Sequence, residues 1–186
     1  LAALDDLVRQ GKVRYIANSN LPGWQLVDAD HIARASGGAR FIATQLEWSL
    51  IERAVERETV PAARHLGLGV IPYFPLASGL LTGKYRRGED FPEGSRLAAG
   101  AYFARVATDE NFGVVERVTA FAEARGRTIL QVALSWLAAQ PEVPSVLVGA
   151  TSPEQVIANA EAFVELDADE VAEIGRLAVK GAPEGA

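Results

Sequence analysis

The stretch that decides how the chain is interpreted runs from residue 69 to residue 84, Gly69-Val70-Ile71-Pro72-Tyr73-Phe74-Pro75-Leu76-Ala77-Ser78-Gly79-Leu80-Leu81-Thr82-Gly83-Lys84. It begins as a short apolar run typical of a buried strand, and two prolines then turn it into a small-residue loop that ends on a cation. In α/β proteins, a strand leading into such a loop presents backbone amides and one positive charge to a phosphate-bearing ligand. Taken alone, the pattern favours a purely structural loop over a ligand-binding one.

Composition limits the classes of partner and location. The 186 residues are 49% apolar and 23% charged, which is the size and composition of one globular domain or a large part of one. The net charge of −6 provides no basic surface, so we expect neither nucleic acid nor an anionic membrane as a partner. The chain has no cysteine for a disulfide or a thiolate zinc site, and no apolar run of the ~18 residues that a membrane span needs. A cytoplasmic location is the default expectation. Because the chain starts at Leu1 and contains no methionine, we expect its natural start to lie upstream.

Hydrophobic periodicity predicts helices that alternate with strands. The predicted strands are Val13–Ala17, Phe41–Leu46, Val70–Tyr73 and Val146–Val148. The predicted helices are one around Leu1–Val8, then Leu26–Ala35, Val60–Leu66, Thr108–Arg125 and Thr128–Ala139, one that opens at Ser152, and a last one capped by Asp167 before a frayed tail beyond Lys180. The segment Ala77–Arg105 lacks periodicity, and a loop of that length is typical of a lid or a ligand-binding excursion.

This alternation implies a parallel sheet with crossover helices. Two architectures fit: a four-stranded doubly wound sheet, or half of an eight-stranded βα barrel. A doubly wound sheet normally carries its G-x-G-x-x-G turn after the first strand, whereas here Ala17-Asn18-Ser19-Asn20 stands at that point. The motifs therefore favour four βα units of a barrel, within a single domain over residues 1–186.

The ends of the predicted strands carry the candidate functional residues, which are Ser19, Asn20, Gln45, Tyr73 and the run Gly149-Ala150-Thr151-Ser152. In a barrel these ends share one rim, where binding sites are built. Their neutral donors and acceptors suit an amide-bearing ligand better than proton transfer. Each also has a structural interpretation. Ser19-Asn20 would be a turn, Gln45 a buried amide, Tyr73 a packing aromatic, and the run that ends at Ser152 a helix cap. His31 and His65 lie within helices, away from the strand ends, and no spacing predicts a metal site.

Read together, these motifs resemble the carboxyl-terminal half of the aldo-keto reductases over nearly the whole chain. The run from Leu4 to Ile16, followed by Ser19-Asn20, resembles the helix and fifth strand of that barrel. Gln45 matches the sixth strand, and the run from Ile71 to Lys84 resembles the seventh strand with its cofactor loop. The run from Val148 to Gln155, with Asn159, resembles the eighth strand and the helix beside the adenosine.

The resemblance implies a (β/α)8 TIM barrel that binds a reduced nicotinamide dinucleotide across this rim, NADPH rather than NADH. Ser19, Asn20 and Gln45 would hold the carboxamide, and Tyr73 would stack on the nicotinamide ring. The residues implied along the pyrophosphate are Phe74, Pro75, Leu76, Ser78, Gly79, Leu80 and Lys84; those implied at the 2′-phosphate and adenine are Gly149, Ala150, Thr151, Gln155 and Asn159. Phe74 stands where many members have serine, and Gly149 and Gln155 stand where others have lysine and arginine. Lys84, Arg86 or Arg87 could supply the missing charge.

The family's catalytic Asp, Tyr, Lys and His lie on the first four strands, to which nothing in this chain corresponds. The resemblance therefore implies the cofactor half of an enzyme that reduces aldehydes or ketones, without catalytic residues and inactive alone. The alternatives are a non-catalytic nucleotide sensor of the channel-associated type and a degenerate half-barrel. Exposed strand edges predict association with a missing amino-terminal half or with a second copy. No particular carbonyl substrate is predicted.

Overall fold

The computed structural model describes residues 1–181, in which helices and strands alternate as predicted up to the third strand and only helices follow it. The α-helices are α1 Ala2–Arg9, α2 Gly23–Ser36, α3 Thr59–Leu66, α4 Ala101–Ala104, α5 Asp109–Glu123, α6 Ile129–Ala138, α7 Pro153–Glu161 and α8 Ala168–Leu177. The strands are β1 Ile16–Ser19, β2 Phe41–Glu47 and β3 Gly69–Tyr73. Short 3₁₀ turns lie at Ala54–Arg57, Ala77–Thr82 and Leu97–Ala99. The tail predicted beyond Lys180 lies outside the described residues, apart from Gly181.

The three strands form one sheet in the order β1-β2-β3, and both pairings are parallel, as predicted. Each crossover passes through a helix, α2 and then α3, as parallel strands require. The register pairs Ser19 with Gln45 and Glu47 with Tyr73. The carboxyl ends of the three strands therefore lie along one edge of the sheet.

The prediction of a fourth strand at Val146–Val148 is wrong, because this segment is irregular. It runs beside β3 with two separated backbone bonds, from the Val70 amide to the Glu142 carbonyl and from the Leu147 amide to the Pro72 carbonyl. Pro144 lies between these bonds and has no N–H to donate. Its ring also lies over Gly69, where an added Cβ would meet the Pro144 Cγ at 3.1 Å. A proline in that position interrupts the ladder.

The first strand begins three residues later than predicted and includes Ser19. The amides of Lys12 and Val13 both donate to the Leu7 carbonyl, so the chain after α1 turns before it reaches the sheet. Asn18 is inside the strand, where its Oδ1 accepts a 2.8 Å bond from the buried Thr44 hydroxyl. This side-chain bond between neighbouring strands satisfies the Thr44 hydroxyl, which would otherwise be buried without a partner.

The two faces of the sheet differ in burial. One face carries Leu46 and Val70, which are buried in a core formed with Leu26 of α2 and Ala63 of α3. This core continues through α5, α6 and α8, where the rings of Trp48 and Trp136 meet edge to face at 6.0 Å. The opposite face carries Ser19, Gln45, Ile71 and Tyr73, all exposed or half-exposed. Helices thus cover one face of the sheet within residues 1–181 and leave the other open.

Helix starts follow the sequence closely. Thr128 and Gln131 form the predicted capping box of α6, and the Ser152 and Asp167 side chains cap α7 and α8. These hydrogen bonds satisfy amides that a first helical turn leaves without partners. Across residues 1–181, no helix is both long enough and apolar enough to span a bilayer.

Candidate functional site

The strand-end cluster consists of Ser19, Asn20, Gln45 and Tyr73, which the structure brings together at the carboxyl edge of the sheet. The Ser19 hydroxyl and the Asn20 amide both donate to the Gln45 carbonyl, at 3.1 and 3.0 Å. The Tyr73 hydroxyl donates to Asn20 Oδ1 at 3.1 Å, which joins β3 to the end of β1. Among the described residues, none forms a hydrogen bond with the Gln45 side-chain amide, so this amide is available to a ligand on the open face.

Tyr73 is half-buried, and its surroundings keep the phenol neutral. Burial raises the pKa of Tyr73, and the nearby Glu47 carboxylate raises it further. The hydrogen bond to Asn20 acts in the opposite direction but does not offset these effects. The Phe74 ring meets the Tyr73 ring edge to face at 5.4 Å, which restricts its rotation. The site therefore presents an uncharged aromatic ring held in a fixed orientation.

The loops after β1 and β3 hold backbone conformations that side chains rarely adopt. Asn20, Phe74, Ala77 and Ser78 have φ of 59°, 51°, 46° and 57°, and they are the non-glycine residues with positive φ in the described chain. Each such residue costs of order 1 kcal/mol, and such strain concentrates at functional sites. All four follow strands whose ends carry the cluster. Strain therefore marks the same edge of the sheet as the polar side chains do.

The loop after β3 buries several of its side chains. Pro75, Ser78 and Leu80 are buried, and Leu80 is completely inaccessible. Lys84 is exposed, with its ammonium 5.0 Å from the centre of the Tyr85 ring. Arg87, one of the cations considered as compensation, donates two hydrogen bonds to Glu116 of α5. The Ala77, Gly79 and Leu81 amides donate to carbonyls within the loop. The exposed cations Lys84 and Arg86 are thus the main groups that this segment offers to an anion.

The α7 cluster consists of Gly149, Thr151, Gln155 and Asn159 at the start of α7. Gln155 Oε1 accepts hydrogen bonds from the Thr151 amide and hydroxyl at 2.8 and 3.1 Å. Asn159 Nδ2 donates to the Gly149 carbonyl at 3.4 Å. None of the residues Pro153–Glu161 of α7 is buried. Local hydrogen bonds, rather than packing, hold this cluster together.

The amino terminus of α7 already carries an anion of its own. Glu154 is exposed, and a hydrogen bond from its own backbone amide lowers the pKa of its carboxyl. A hydrogen bond from the Ser152 side chain lowers that pKa further. The Ser152 hydroxyl accepts from the Gln155 amide, so that group is also engaged. The amides of Thr151, Glu154 and Gln155 are thus bonded locally, which leaves fewer of them for an anion at this point.

Sequence reasoning missed three charged residues at the strand-end cluster. Glu47 follows Gln45 by two residues on β2 and lies on the same open face of the sheet. Because side chains alternate between the two faces of a strand, the position of Gln45 would have identified Glu47. The Arg105 guanidinium donates to Glu47 at 3.2 Å from the far end of the Ala77–Arg105 segment. The Arg96 guanidinium lies 5.4 Å from the Phe74 ring and 4.7 Å from the Phe103 ring. No sequence signal ties Arg96 or Arg105 to the rim, since only the path of the loop brings them there.

The two histidines are exposed on helices, as predicted. Among residues 1–181, His, Asp and Glu side chains form no group of three that could hold a metal ion.

The carboxyl edge of a parallel α/β sheet, where this cluster lies, is the place at which proteins of this architecture build their ligand sites. The sequence profile of the Aldo/keto reductase family matches residues 1–178. The chain belongs to the aldo/keto reductase family.

Three relatives show the range of proteins that the chain is similar to. It is 36% identical over 154 residues to the uncharacterized oxidoreductase YrpG of Bacillus subtilis (strain 168), covering 83% of this chain and 45% of the relative. It is 35% identical over 163 residues to the NADH-specific methylglyoxal reductase of Escherichia coli (strain K12), covering 88% and 48%. It is 32% identical over 171 residues to a Schizosaccharomyces pombe (strain 972 / ATCC 24843) protein named "Putative voltage-gated potassium channel subunit beta", covering 89% and 49%. The chain thus spans about half the length of each.

Proposed function

We propose that the chain is the cofactor-binding half of an oxidoreductase that reduces aldehydes or ketones with a nicotinamide dinucleotide. The observation that carries the proposal is the strand-end cluster, where Ser19, Asn20 and Tyr73 are joined by hydrogen bonds beside the Gln45 amide. A nicotinamide has one carboxamide and one flat ring, which match these amide groups and the Tyr73 ring. Fixing the ring face that donates hydride is an orientation effect rather than proton chemistry.

In this proposal the dinucleotide extends from the strand-end cluster along the loop after β3. The loop of residues 74–80, with Lys84, would face the pyrophosphate, although the Ala77 and Gly79 amides already donate to carbonyls within the loop. The α7 cluster would face the adenosine. Hydride transfer is the chemistry that the cofactor would supply when bound, while the residues of this chain would hold and orient its nicotinamide ring. We propose that the proton donor and the other catalytic residues come from strands outside this sequence, so that the isolated chain is inactive.

We propose NADPH as the preferred cofactor, on the strength of the family resemblance. The α7 cluster supplies neutral hydrogen-bonding groups but no cation, and a relative is named as NADH-specific. The cofactor site and the preference for NADPH are tested by titrating the purified chain with NADPH and with NADH. Nicotinamide and tryptophan fluorescence report the binding. Saturable binding that is lost in Tyr73→Ala supports the site. A folded chain that binds neither cofactor would overturn the assignment for this chain.

A second candidate is a nucleotide sensor without turnover, because one relative carries the name of a channel beta subunit. The two candidates share the cofactor site and differ in chemistry. Carbonyl-dependent oxidation of bound NADPH in the whole protein separates them, since a sensor binds the cofactor and leaves it reduced over many equivalents of aldehyde.

A further inference from the structure

Tyr73, on which the nicotinamide would stack, is itself held by a second ring. The Phe74 ring meets the Tyr73 ring edge to face, with 5.4 Å between centroids and 71° between planes. Phe74 is half-buried, and its φ of 51° is one of the strained conformations of the chain. Such a conformation persists only where surrounding contacts fix it. The other contacts of Phe74 therefore determine how firmly it holds Tyr73.

Arg96 supplies such a contact from the far end of the Ala77–Arg105 segment. Its guanidinium lies 5.4 Å from the centre of the Phe74 ring and 4.7 Å from that of the Phe103 ring. The guanidinium makes no hydrogen bond or ion pair within residues 1–181. The next residue anchors the backbone, because Leu97 is 1% exposed and its amide donates to the Tyr85 hydroxyl at 3.3 Å. Arg96 is thus an exposed cation whose position the fold sets.

The contacts continue from Phe103 back to the sheet. The Tyr102 and Phe103 rings meet edge to face at 5.3 Å, and the Arg105 guanidinium lies 4.6 Å from the centre of the Tyr102 ring. Arg105 donates to Glu47 at 3.2 Å, and Glu47 pairs in register with Tyr73. These contacts therefore close a circuit that begins and ends at Tyr73.

We propose that Phe74 and Arg96 act as one positioning unit, in which Arg96 fixes the Phe74 ring and this ring holds Tyr73 in the orientation that stacks on a nicotinamide. Neither residue needs to touch the nicotinamide for this role. The hold on Tyr73 stands on the contacts described, whereas its effect on a cofactor rests on the proposed function.

A double-mutant cycle on Phe74 and Arg96 tests whether the two residues act as a unit. The variants are Phe74→Leu, which removes the ring and keeps an apolar side chain, Arg96→Met, which removes the cation, and the two together. One readout is the NADPH dissociation constant from fluorescence titration. The other is the set of Tyr73 ring resonances in the chain without cofactor. Arg57→Met, at an exposed arginine of the Ala54–Arg57 turn, is the matched control for Arg96→Met.

We expect Phe74→Leu to raise the NADPH dissociation constant about fivefold, as for the loss of one aromatic pair. Arg96→Met should raise it about threefold, as for the loss of one exposed cation–π contact. The double variant should match Phe74→Leu, because without the ring Arg96 has no route to Tyr73. In the free chain, Arg96→Met should shift the Tyr73 resonances when Phe74 is present and leave them unaltered in Phe74→Leu. Phe74→Tyr, which keeps the ring, should bind like wild type, and Arg57→Met should change neither readout.

Multiplied effects in the double variant, about 15-fold in all, would overturn the proposal, since Arg96 would then act on the cofactor without Phe74. Tyr73 resonances that stay unchanged in Arg96→Met would overturn it as well. If Phe74→Leu does not fold, the Tyr73 resonances of Arg96→Met and Arg57→Met still decide. If those resonances respond as expected while the wild-type chain binds no NADPH, the positioning unit stands and the proposed function fails.

Discussion

The strand-end cluster and the α7 cluster are two ends of one proposed binding surface, and they are built differently. The first stands on three paired strands that share a buried face, and side-chain hydrogen bonds run between strands. The second follows an irregular segment and opens a helix with no buried residue. A site on strands has its geometry fixed by the fold, whereas a site held by local bonds adjusts at little cost. We therefore expect the nicotinamide end to dominate affinity and the adenosine end to adjust cofactor preference.

The largest expected effect concerns the open face of the sheet beneath the strand-end cluster. Ile71 and Tyr73 leave apolar surface uncovered there, so we expect the purified chain to associate, with a mass at least twice 19.8 kDa in sedimentation. Ile71→Lys should shift the population towards monomer. Ile157→Lys, on the exposed surface of α7, is the matched control and should have less effect. A monodisperse wild-type monomer would contradict the prediction, and a stronger effect of Ile157→Lys would move the interface to α7.

The second effect measures how much the nicotinamide end contributes. Tyr73→Ala removes a half-buried ring and should raise the NADPH dissociation constant about 50-fold, from lost stacking and lost burial together. Tyr73→Phe loses only the bond to Asn20 and should cost about threefold. Fluorescence titration measures both, with Tyr15→Ala as a control because Tyr15 is exposed before β1. Equal dissociation constants for Tyr73→Ala and wild type would mean that the nicotinamide ring does not stack on Tyr73.

The third effect concerns the segment that carries the α7 cluster. The Glu142 carboxylate accepts a hydrogen bond from Arg64 of α3, which lowers the pKa of Glu142 despite its burial. Because the pKa of Glu142 is lower in the folded state, its ionised carboxylate stabilises the fold at pH values above 4.5, the ordinary pKa. This contribution is lost as the pH falls through the folded-state pKa. Arg64 is largely exposed, so we expect Glu142→Gln to cost only about 1–2 kcal/mol at pH 7.

Urea unfolding from pH 7 to pH 3 checks this prediction. The difference between wild type and Glu142→Gln should shrink as the pH falls, while Glu123→Gln follows wild type throughout. A difference that stays constant over this range would mean that packing, not the carboxylate charge, stabilises the segment.

The smallest effect tests the α7 cluster as the selector between cofactors. The Glu154 carboxylate occupies the amino terminus of α7, where it would repel a 2′-phosphate. Glu154→Gln should lower the NADPH dissociation constant about twofold to threefold and leave that of NADH unchanged, as expected for one exposed charge. Glu161→Gln, at the other end of the same helix, is the control. If Glu154→Gln changed the dissociation constants of NADPH and NADH by the same factor, Glu154 would have no role in discriminating between the two cofactors.

The sequence predicted most of this molecule where local signals agree. The capping box of Thr128 and Gln131 and the apolar run before Tyr73 each specify their element without knowledge of the rest of the fold. The segment Val146–Val148 shows the limit, since its composition suits a strand while Pro144 over Gly69 prevents regular pairing. The positions of Ser19, Asn20 and Tyr73 at the ends of predicted strands were enough to identify them as site residues. Arg105, by contrast, reaches Glu47 only because a long loop folds back to the sheet. Contacts between residues far apart in sequence leave no local pattern.

The proline that interrupts the sheet also limits how copies of the chain can assemble. The free edge of β3 is covered by residues 142–147, which use its groups at Val70 and Pro72 and present Pro144 outward. Within residues 1–181, β1 is the opposite edge of the sheet, and no backbone hydrogen bond from another segment covers its free side. Pairing through this one strand edge joins two copies and then leaves no further edge free, so edge-to-edge association closes as a pair and does not grow into a fibre.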